Sequence, residues 1–122
     1  MSAKNRYHDA VVAGLIADGW TITADPLTVS VGFRRLFVDL AAERHVTLAA
    51  VRDGDRIAVE VQSFLSRSGI DDLHRAVGQY VVYRMVLKDT HPDYRLYLAV
   101  DEDTFGGIFS EPIGETVIAE LR

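Results

Sequence analysis

An alternating run at the middle of the chain organises the rest of the sequence: Arg56-Ile57-Ala58-Val59-Glu60-Val61-Gln62-Ser63-Phe64. Period-two geometry places its three β-branched residues on one face of a strand, and Glu60 and Gln62 together on the other. A carboxylate within such an apolar run is costly to bury unless the protein uses it. Turn residues at Asp53-Gly54 and at positions 66–69 bracket the run. The pattern therefore predicts a central strand that carries one acid and one amide on the same face.

The composition is typical of a soluble domain of ordinary size. The chain has 122 residues, of which 48% are hydrophobic and 25% charged, which fits a single domain over residues 1–122. No apolar run approaches the roughly 20 residues needed to cross a bilayer, and the N-terminus has no apolar signal segment. The absence of cysteine excludes disulfides, thiolate metal sites and cysteine nucleophiles. We therefore expect a cytoplasmic protein with no attachment to a membrane.

The charge balance restricts the classes of partner. Net charge is −5, from 13 basic and 18 acidic residues, which argues against a nonspecific coat of nucleic acid. A local basic surface or a divalent-metal site remains compatible with it. The four histidines have neither HxH nor HxxxH spacing, which argues against a histidine-based zinc site.

The remaining segments predict a mixed sheet with helices packed on it. An apolar stripe at helical spacing over residues 6–18 predicts a first helix, which Gly19 would cap. Strands are predicted at 20–23, 27–31 and 35–40, and the Asp53-Gly54 turn favours a hairpin from 46–51 into the central strand. A helix over 70–88, a strand over 94–100 and two further helices over 101–109 and 111–121 follow. The order is α-β-β-β-α-β-α, which is an α/β fold with antiparallel strands first and a crossover strand later.

Two acids lie within predicted strands, Asp39 in the strand 35–40 and Glu60 in the central strand. A neighbouring strand could bring Asp39 close to Glu60. Magnesium prefers oxygen ligands, commonly one or two carboxylates with retained waters, and such an ion assists phosphodiester cleavage. On spacing alone, two buried acids are more often structural residues in ion pairs than a metal site, and both interpretations stay open.

The chain resembles the XisH family along nearly its whole length. The resemblance is carried by collinear stretches: Tyr7-His8-Asp9-Ala10-Val11, Asp18-Gly19-Trp20-Thr21-Ile22-Thr23, Asp25-Pro26-Leu27, Leu36-Phe37-Val38-Asp39-Leu40, Ile57-Ala58-Val59-Glu60-Val61-Gln62-Ser63-Phe64, Gly78-Gln79-Tyr80, Leu96-Tyr97-Leu98-Ala99-Val100 and Glu111-Pro112-Ile113-Gly114. XisH proteins are described as fdxN element excision controlling factors, linked to a DNA rearrangement in cyanobacteria. The family is commonly encoded beside a second small protein, XisI, which implies an XisI-like protein partner.

The family in turn resembles the PD-(D/E)xK nuclease superfamily, whose restriction-endonuclease-like core has the order α-β-β-β-α-β. On that template Asp39 and Glu60 match the metal-binding acids, and the carbonyl of Val61 matches a further ligand of Mg²⁺ or Mn²⁺. Gln62 stands where the template has a lysine. A lysine supplies positive charge to the reacting phosphate, which an amide cannot do.

The helix after the central strand carries a second motif of that superfamily. Gln79-Tyr80-Val81-Val82-Tyr83 resembles the QxxxY motif of RecB-like nucleases, which assigns site roles to Gln79 and Tyr83. Packing of the tyrosines on the sheet accounts for the same residues equally well. His8 or Asp9 would match the first-helix residue of those nucleases, and Glu43 is an alternative metal ligand.

Three functions are compatible with these observations. The first is a controlling factor on a degenerate nuclease scaffold that acts in DNA rearrangement with an XisI-like partner. The second is an active metal-dependent endonuclease, and the third is a non-enzymatic module that forms a homo-oligomer. XisH relatives tend to continue past the last helix into a further strand, whereas this sequence ends at Arg122, so we expect an altered sheet edge or partner surface.

Overall fold

The structure, a computed structural model, describes residues 3–48, 51–62, 64 and 68–121. Its helices are α1 (Ala3–Ala17), α2 (Gly69–Thr90), α3 (Glu102–Gly106) and α4 (Pro112–Leu121), with a 3₁₀ helix at Ile108–Ser110. Its strands are β1 (Thr21–Ala24), β2 (Leu27–Val31), β3 (Arg34–Val38), β4 (Leu40–Leu48), β5 (Val51–Val61) and β6 (Tyr94–Ala99). The mixed α+β fold predicted from the sequence is confirmed.

A four-stranded sheet in the order β1-β4-β5-β6 forms the centre of the protein. β4 pairs antiparallel with β1 and with β5, while β5 and β6 are parallel and are joined through α2. β2 and β3 form a separate antiparallel hairpin, whose turn contains Gly32 at φ +56, a left-handed conformation that favours glycine. The predicted central strand is therefore β5, which has a partner on each side.

Each face of the sheet buries its own apolar cluster. On one face, Val59, Val61 and Leu40 pack against α1 through side chains that include Val11 and Leu15. On the other face, Ala58 and Leu96 pack against α2 and the β2–β3 hairpin. The side chains that these elements contribute are Val29, Val38, Tyr80, Tyr83, Val86 and Leu87. The period-two alternation of β5 thus divides the two layers, as the sequence predicted.

Local signals explain where the principal helices end. Gly19 has φ +92 and follows α1, in agreement with its predicted capping role. Ser68 caps α2 by accepting a hydrogen bond from the Asp71 N–H at 3.2 Å. Lys88 lies in the last turn of α2, where the helix dipole favours a cation. No helix within the described residues is long and apolar enough to span a membrane.

Several boundaries differ from the sequence prediction, and the predicted helix 101–109 is divided into α3 and the 3₁₀ helix. The predicted turn at Asp53-Gly54 is wrong: both residues lie within β5 and pair with Val46 and His45 of β4. The predicted strand 35–40 is divided, because β3 ends at Val38 and β4 begins at residue 40. β5 ends at Val61, so the predicted extension to residue 64 is wrong for Gln62 and Phe64, while Ser63 lies outside the described residues.

Candidate functional site

Asp39 occupies the bend between β3 and β4 and does not lie inside a strand, which corrects the sequence prediction. Its Oδ2 accepts a hydrogen bond from the backbone N–H of Val61 at 2.8 Å. The carboxylate therefore takes the place of a backbone acceptor where the β4–β5 ladder ends. This contact, between residues 22 positions apart, fixes the side chain at the end of the central strand.

Glu60 lies in β5 directly before that contact and is only 3% exposed. Leu40 and Val59 form the last pair of the antiparallel register at this end, and Asp39 and Glu60 are the next residue of each segment beyond that pair. Both predicted acids therefore lie at the same end of the β4–β5 ladder.

The Val61 carbonyl also faces Asp39. In an antiparallel pair, the N–H and C=O of one strand residue point to the same neighbour, and the Val61 N–H donates to Asp39. The Val61 side chain is buried on the opposite face of the sheet, in the α1 cluster. It is therefore the backbone of Val61, and not its side chain, that lies on the side of Asp39.

Gln62 begins a chain of polar side chains that links the end of β5 to α2. Its Nε2 donates to Oε1 of Gln79, and Nε2 of Gln79 lies 3.2 Å from the Tyr83 hydroxyl, to which it donates. The Gln62 backbone N–H donates to the Ala99 carbonyl of β6 at 2.9 Å. Gln62 is thus held on both sides, and the predicted site residues Gln79 and Tyr83 form one network with it.

The other candidates lie elsewhere. Glu43 is four residues along from Asp39, about 13 Å at the rise of a strand, and its carboxylate is 3.7 Å from Arg56. His8 contacts Asp25, with Nε2 2.9 Å from Oδ1, and Asp9 is exposed on α1. The structure joins neither of these first-helix residues to the acid pair.

Sequence reasoning overlooked Asp101, which follows β6 near the same end of the sheet. Its Oδ1 accepts from the Thr104 N–H at 2.7 Å and so caps α3. Burial of Tyr7 on α1, together with the negative charge of Asp101, raises the pKa of the Tyr7 hydroxyl. An acid directly after the predicted strand 94–100 was the signal that could have identified it.

The donors present fit a hard divalent ion with a small protein ligand set. Two carboxylates and one carbonyl are oxygen donors of the kind magnesium prefers, and magnesium commonly keeps waters in its remaining positions. Within residues 3–48, 51–62, 64 and 68–121, no cluster of three or more acidic or histidine side chains forms a larger metal cage. The arrangement is therefore suited to an ion that shares its ligands with water or phosphate.

A separate groove of about 660 Å³ lies between α2, β6 and α4. Leu87 and Ile118 are among its apolar lining residues, and its cationic ones are Arg84, Lys88 and Arg95. Among its described lining residues none is acidic, and neither Asp39 nor Glu60 takes part. Among the strands that the structure describes, β6 is at the edge of the sheet, so the groove runs beside that edge.

These features define a mixed α+β protein with a carboxylate pair and an amide network at the end of its central strand. The chain belongs to the XisH family, whose model, described as XisH protein, matches residues 1–122.

Two crystal structures show the same fold. An XisH family protein from Nostoc punctiforme PCC 73102 is 42% identical, with a TM-score of 0.81 over 93% of this chain and 83% of that one. A fdxN element excision controlling factor protein from Anabaena variabilis is 43% identical, with a TM-score of 0.80 over 93% of this chain and 82% of that one. Among curated proteins, no sequence gives a significant match.

Proposed function

We propose that this chain is an excision controlling factor that acts on DNA through a nuclease-like fold with weakened or lost cleavage. The Anabaena variabilis relative is described as such a factor. The elements α1, β1, β4, β5, α2 and β6 follow the order of the PD-(D/E)xK core, with the β2–β3 hairpin inserted after the first strand. The observation that supports the proposal is the position of Asp39 and Glu60 at the same end of the β4–β5 ladder, beside Gln62.

The acid pair is the proposed site of Mg²⁺ or Mn²⁺. Asp39 and Glu60 would hold the ion with their carboxylates, and Val61 with its carbonyl. A bound ion would polarise a phosphoryl oxygen of DNA and lower the pKa of a water. The burial of Glu60 supports this role, because a carboxylate 3% exposed is removed from most competing solvent.

Gln62 is the residue that favours DNA binding without rapid phosphodiester cleavage. Its neutral amide can orient a water but brings no positive charge to a reacting phosphate. The amide is also held by Gln79, which in turn is held by Tyr83. The site would therefore bind a DNA backbone at the ion and stabilise the cleavage transition state poorly.

A magnesium titration followed by thermal melting tests the metal site. An ion that binds only the folded state stabilises it by mass action, by about 1.4 kcal/mol at tenfold its dissociation constant. We expect this rise in melting temperature in the wild type and its loss in Glu60→Gln. Glu43→Gln is the matched control, since it removes a carboxylate from the same strand pair about 13 Å away. Equal rises in the wild type and Glu60→Gln would refute the proposed site.

Plasmid cleavage separates the proposal from its first alternative, an active endonuclease. The paired acids and the retained Gln79 favour that alternative. We expect little cleavage by the wild type and metal-dependent cleavage by Gln62→Lys, which restores the missing charge. Rapid cleavage by the wild type that is lost in Glu60→Gln would establish the endonuclease instead.

A protein partner completes the proposal. We propose an XisI-like protein that presents an acidic, extended segment to the groove between α2, β6 and α4. Edge strands accept added strands through backbone hydrogen bonds, and the cations Arg84 and Lys88 complement an acidic segment. Co-purification with such a partner should weaken in Arg84→Gln/Lys88→Gln. Light scattering on the chain without a partner measures its self-association. A stable homo-oligomer is the result expected if the protein is only a non-enzymatic interaction module.

A further inference from the structure

The β2–β3 hairpin projects away from the body of the protein. Its base is buried through Val29 and Val38, whereas every residue from position 30 to 35 is exposed. The register pairs Ser30 with Arg35 and Val31 with Arg34, so the exposed tip is a regular two-stranded ribbon. From Val29 to the turn, this ribbon extends for about 10 Å at the rise of a strand.

The tip of the hairpin carries two positive charges that form no ion pair with an acidic side chain among the described residues. Between Pro26 and Val38 the sequence contains Arg34 and Arg35 and no acidic residue, although the whole chain has a net charge of −5. Within the described part of the chain, neither guanidinium forms an ion pair, because the ion pairs present involve other residues. The hairpin is therefore a cationic element on an acidic protein, which suits a polyanion.

An aromatic side chain stands at the end of this ribbon. Phe33 is fully exposed, and Phe37 on the outer face is 52% exposed. The apolar rings of Phe33 and Phe37 are therefore available for contact beside the two arginines. A cationic ribbon with an apolar tip matches the chemistry of a DNA groove, which has phosphates at its edges and bases at its floor.

We propose that the β2–β3 hairpin enters the major groove of duplex DNA. A major groove about 12 Å wide and 8.5 Å deep admits a two-stranded ribbon, and the exposed tip has a matching length. Arg34 and Arg35 bind phosphates or base edges, and Phe33 makes apolar contact at the floor, as with thymine methyl groups. The inference deepens the proposed function, since it rests on DNA being the molecule on which the protein acts.

The hairpin also connects this contact to the acid pair. β3 runs from Arg34 to Val38, and Asp39 follows at once. Arg34 and Arg35 are therefore about 13–17 Å along the chain from Asp39, a distance of roughly four to five base pairs at 3.4 Å each. Hairpin and acid pair can contact the same duplex less than one helical turn apart.

Fluorescence anisotropy of the full chain with a short labelled duplex, over a range of salt concentrations and without added metal, tests the inference. Each phosphate contact contributes about 0.9 to the slope of log affinity against log salt, so Arg34→Gln/Arg35→Gln should reduce the slope by about 2 and weaken binding roughly tenfold or more. Arg34→Lys/Arg35→Lys should retain most of the slope. Arg75→Gln is the control for the loss of positive charge, because Arg75 is an exposed arginine on α2. It should leave the affinity for the duplex within about twofold of the wild type.

Phe33→Ser gives a second readout, because it removes no charge. It should weaken duplex binding roughly fivefold with the salt slope unchanged. The substituted positions are exposed, and circular dichroism checks that each variant keeps the wild-type fold.

The inference would be overturned by unchanged affinity and salt slope in Arg34→Gln/Arg35→Gln, or by tighter binding of single-stranded than of duplex DNA. A magnesium-induced rise in melting temperature that Glu60→Gln abolishes, combined with no duplex binding, would also overturn the hairpin and leave the metal site standing. Duplex binding that depends on Arg34 and Arg35, without any magnesium-induced rise in melting temperature, would support the hairpin and overturn the metal site.

Discussion

Replacing Asp39 by asparagine and by alanine separates the hydrogen bond of this carboxylate from its charge. The Oδ2 atom accepts from the Val61 N–H at 2.8 Å. An asparagine side chain keeps an oxygen that can accept the same hydrogen bond but carries no charge for a metal ion. Alanine removes both. The two variants therefore make different predictions for stability and the same prediction for metal binding.

The cost of each change follows from that geometry. Alanine leaves the Val61 N–H without its acceptor at a half-buried position, which costs about 1–3 kcal/mol. In a domain of this size, the melting temperature should fall by roughly 5–10 °C. Asparagine should cost under about 1 kcal/mol, because a neutral hydrogen bond replaces a charge-assisted one and the repulsion from Glu60 is removed. In both variants we expect the magnesium-induced rise to disappear.

Thermal and urea unfolding, each with and without magnesium, measure these effects. Asp93→Asn is a suitable control, because Asp93 makes an exposed ion pair with Arg56 at 3.5 Å, and such pairs contribute about 0–1 kcal/mol. Asp39→Ala with wild-type stability would refute the structural role of the Val61 contact. Asp39→Asn with an intact magnesium effect would refute the role of the charge in metal binding.

Two further predictions concern packing and pH. A Cβ added at Gly114 would lie 2.1 Å from the Ile108 carbonyl oxygen, so Gly114→Ala should lower stability in urea melts by about 3 kcal/mol or more. The control Gly78→Ala, whose Cβ meets nothing within 4 Å on α2, should raise it by about 0.5–1 kcal/mol, and equal effects of the two would contradict the packing argument. Burial and the charge of Asp101 raise the pKa of Tyr7 above its usual value near 10, so the folded state holds the phenolic proton more tightly. Stability should therefore fall as pH rises above about 10, and melting scans should show a weaker fall in Tyr7→Phe; an identical pH dependence would contradict it.

The sequence predicted the elements of this fold better than their ends. Alternation in β5 correctly placed Glu60 opposite the face that packs on α1, because side-chain direction in a strand depends only on position. The bend at Asp39 was not predictable from alternation, since residues 36–40 continue the pattern without interruption. The bend is accompanied by a hydrogen bond to Val61, a contact between residues distant in sequence that no local pattern reveals.

The turn and the pairing of strands show the same limit. Asp53-Gly54 has the composition of a hairpin turn, yet the β4–β5 register carries both residues inside β5. Leu27–Val31 was predicted as an extended segment. Its alternation did not indicate that it would pair with β3 in a separate sheet. Partner choice depends on which surfaces become buried together, and that is a property of the whole chain.

The position of the acid pair at the end of a long hairpin has a consequence for folding. β4 and β5 are adjacent in sequence, so their antiparallel pairing closes a short loop and can form early. The parallel β5–β6 pairing must wait for the α2 crossover, because it joins residues far apart in the chain. Asp39 and Glu60 would therefore meet before Gln62 acquires its partners at Gln79 and Ala99.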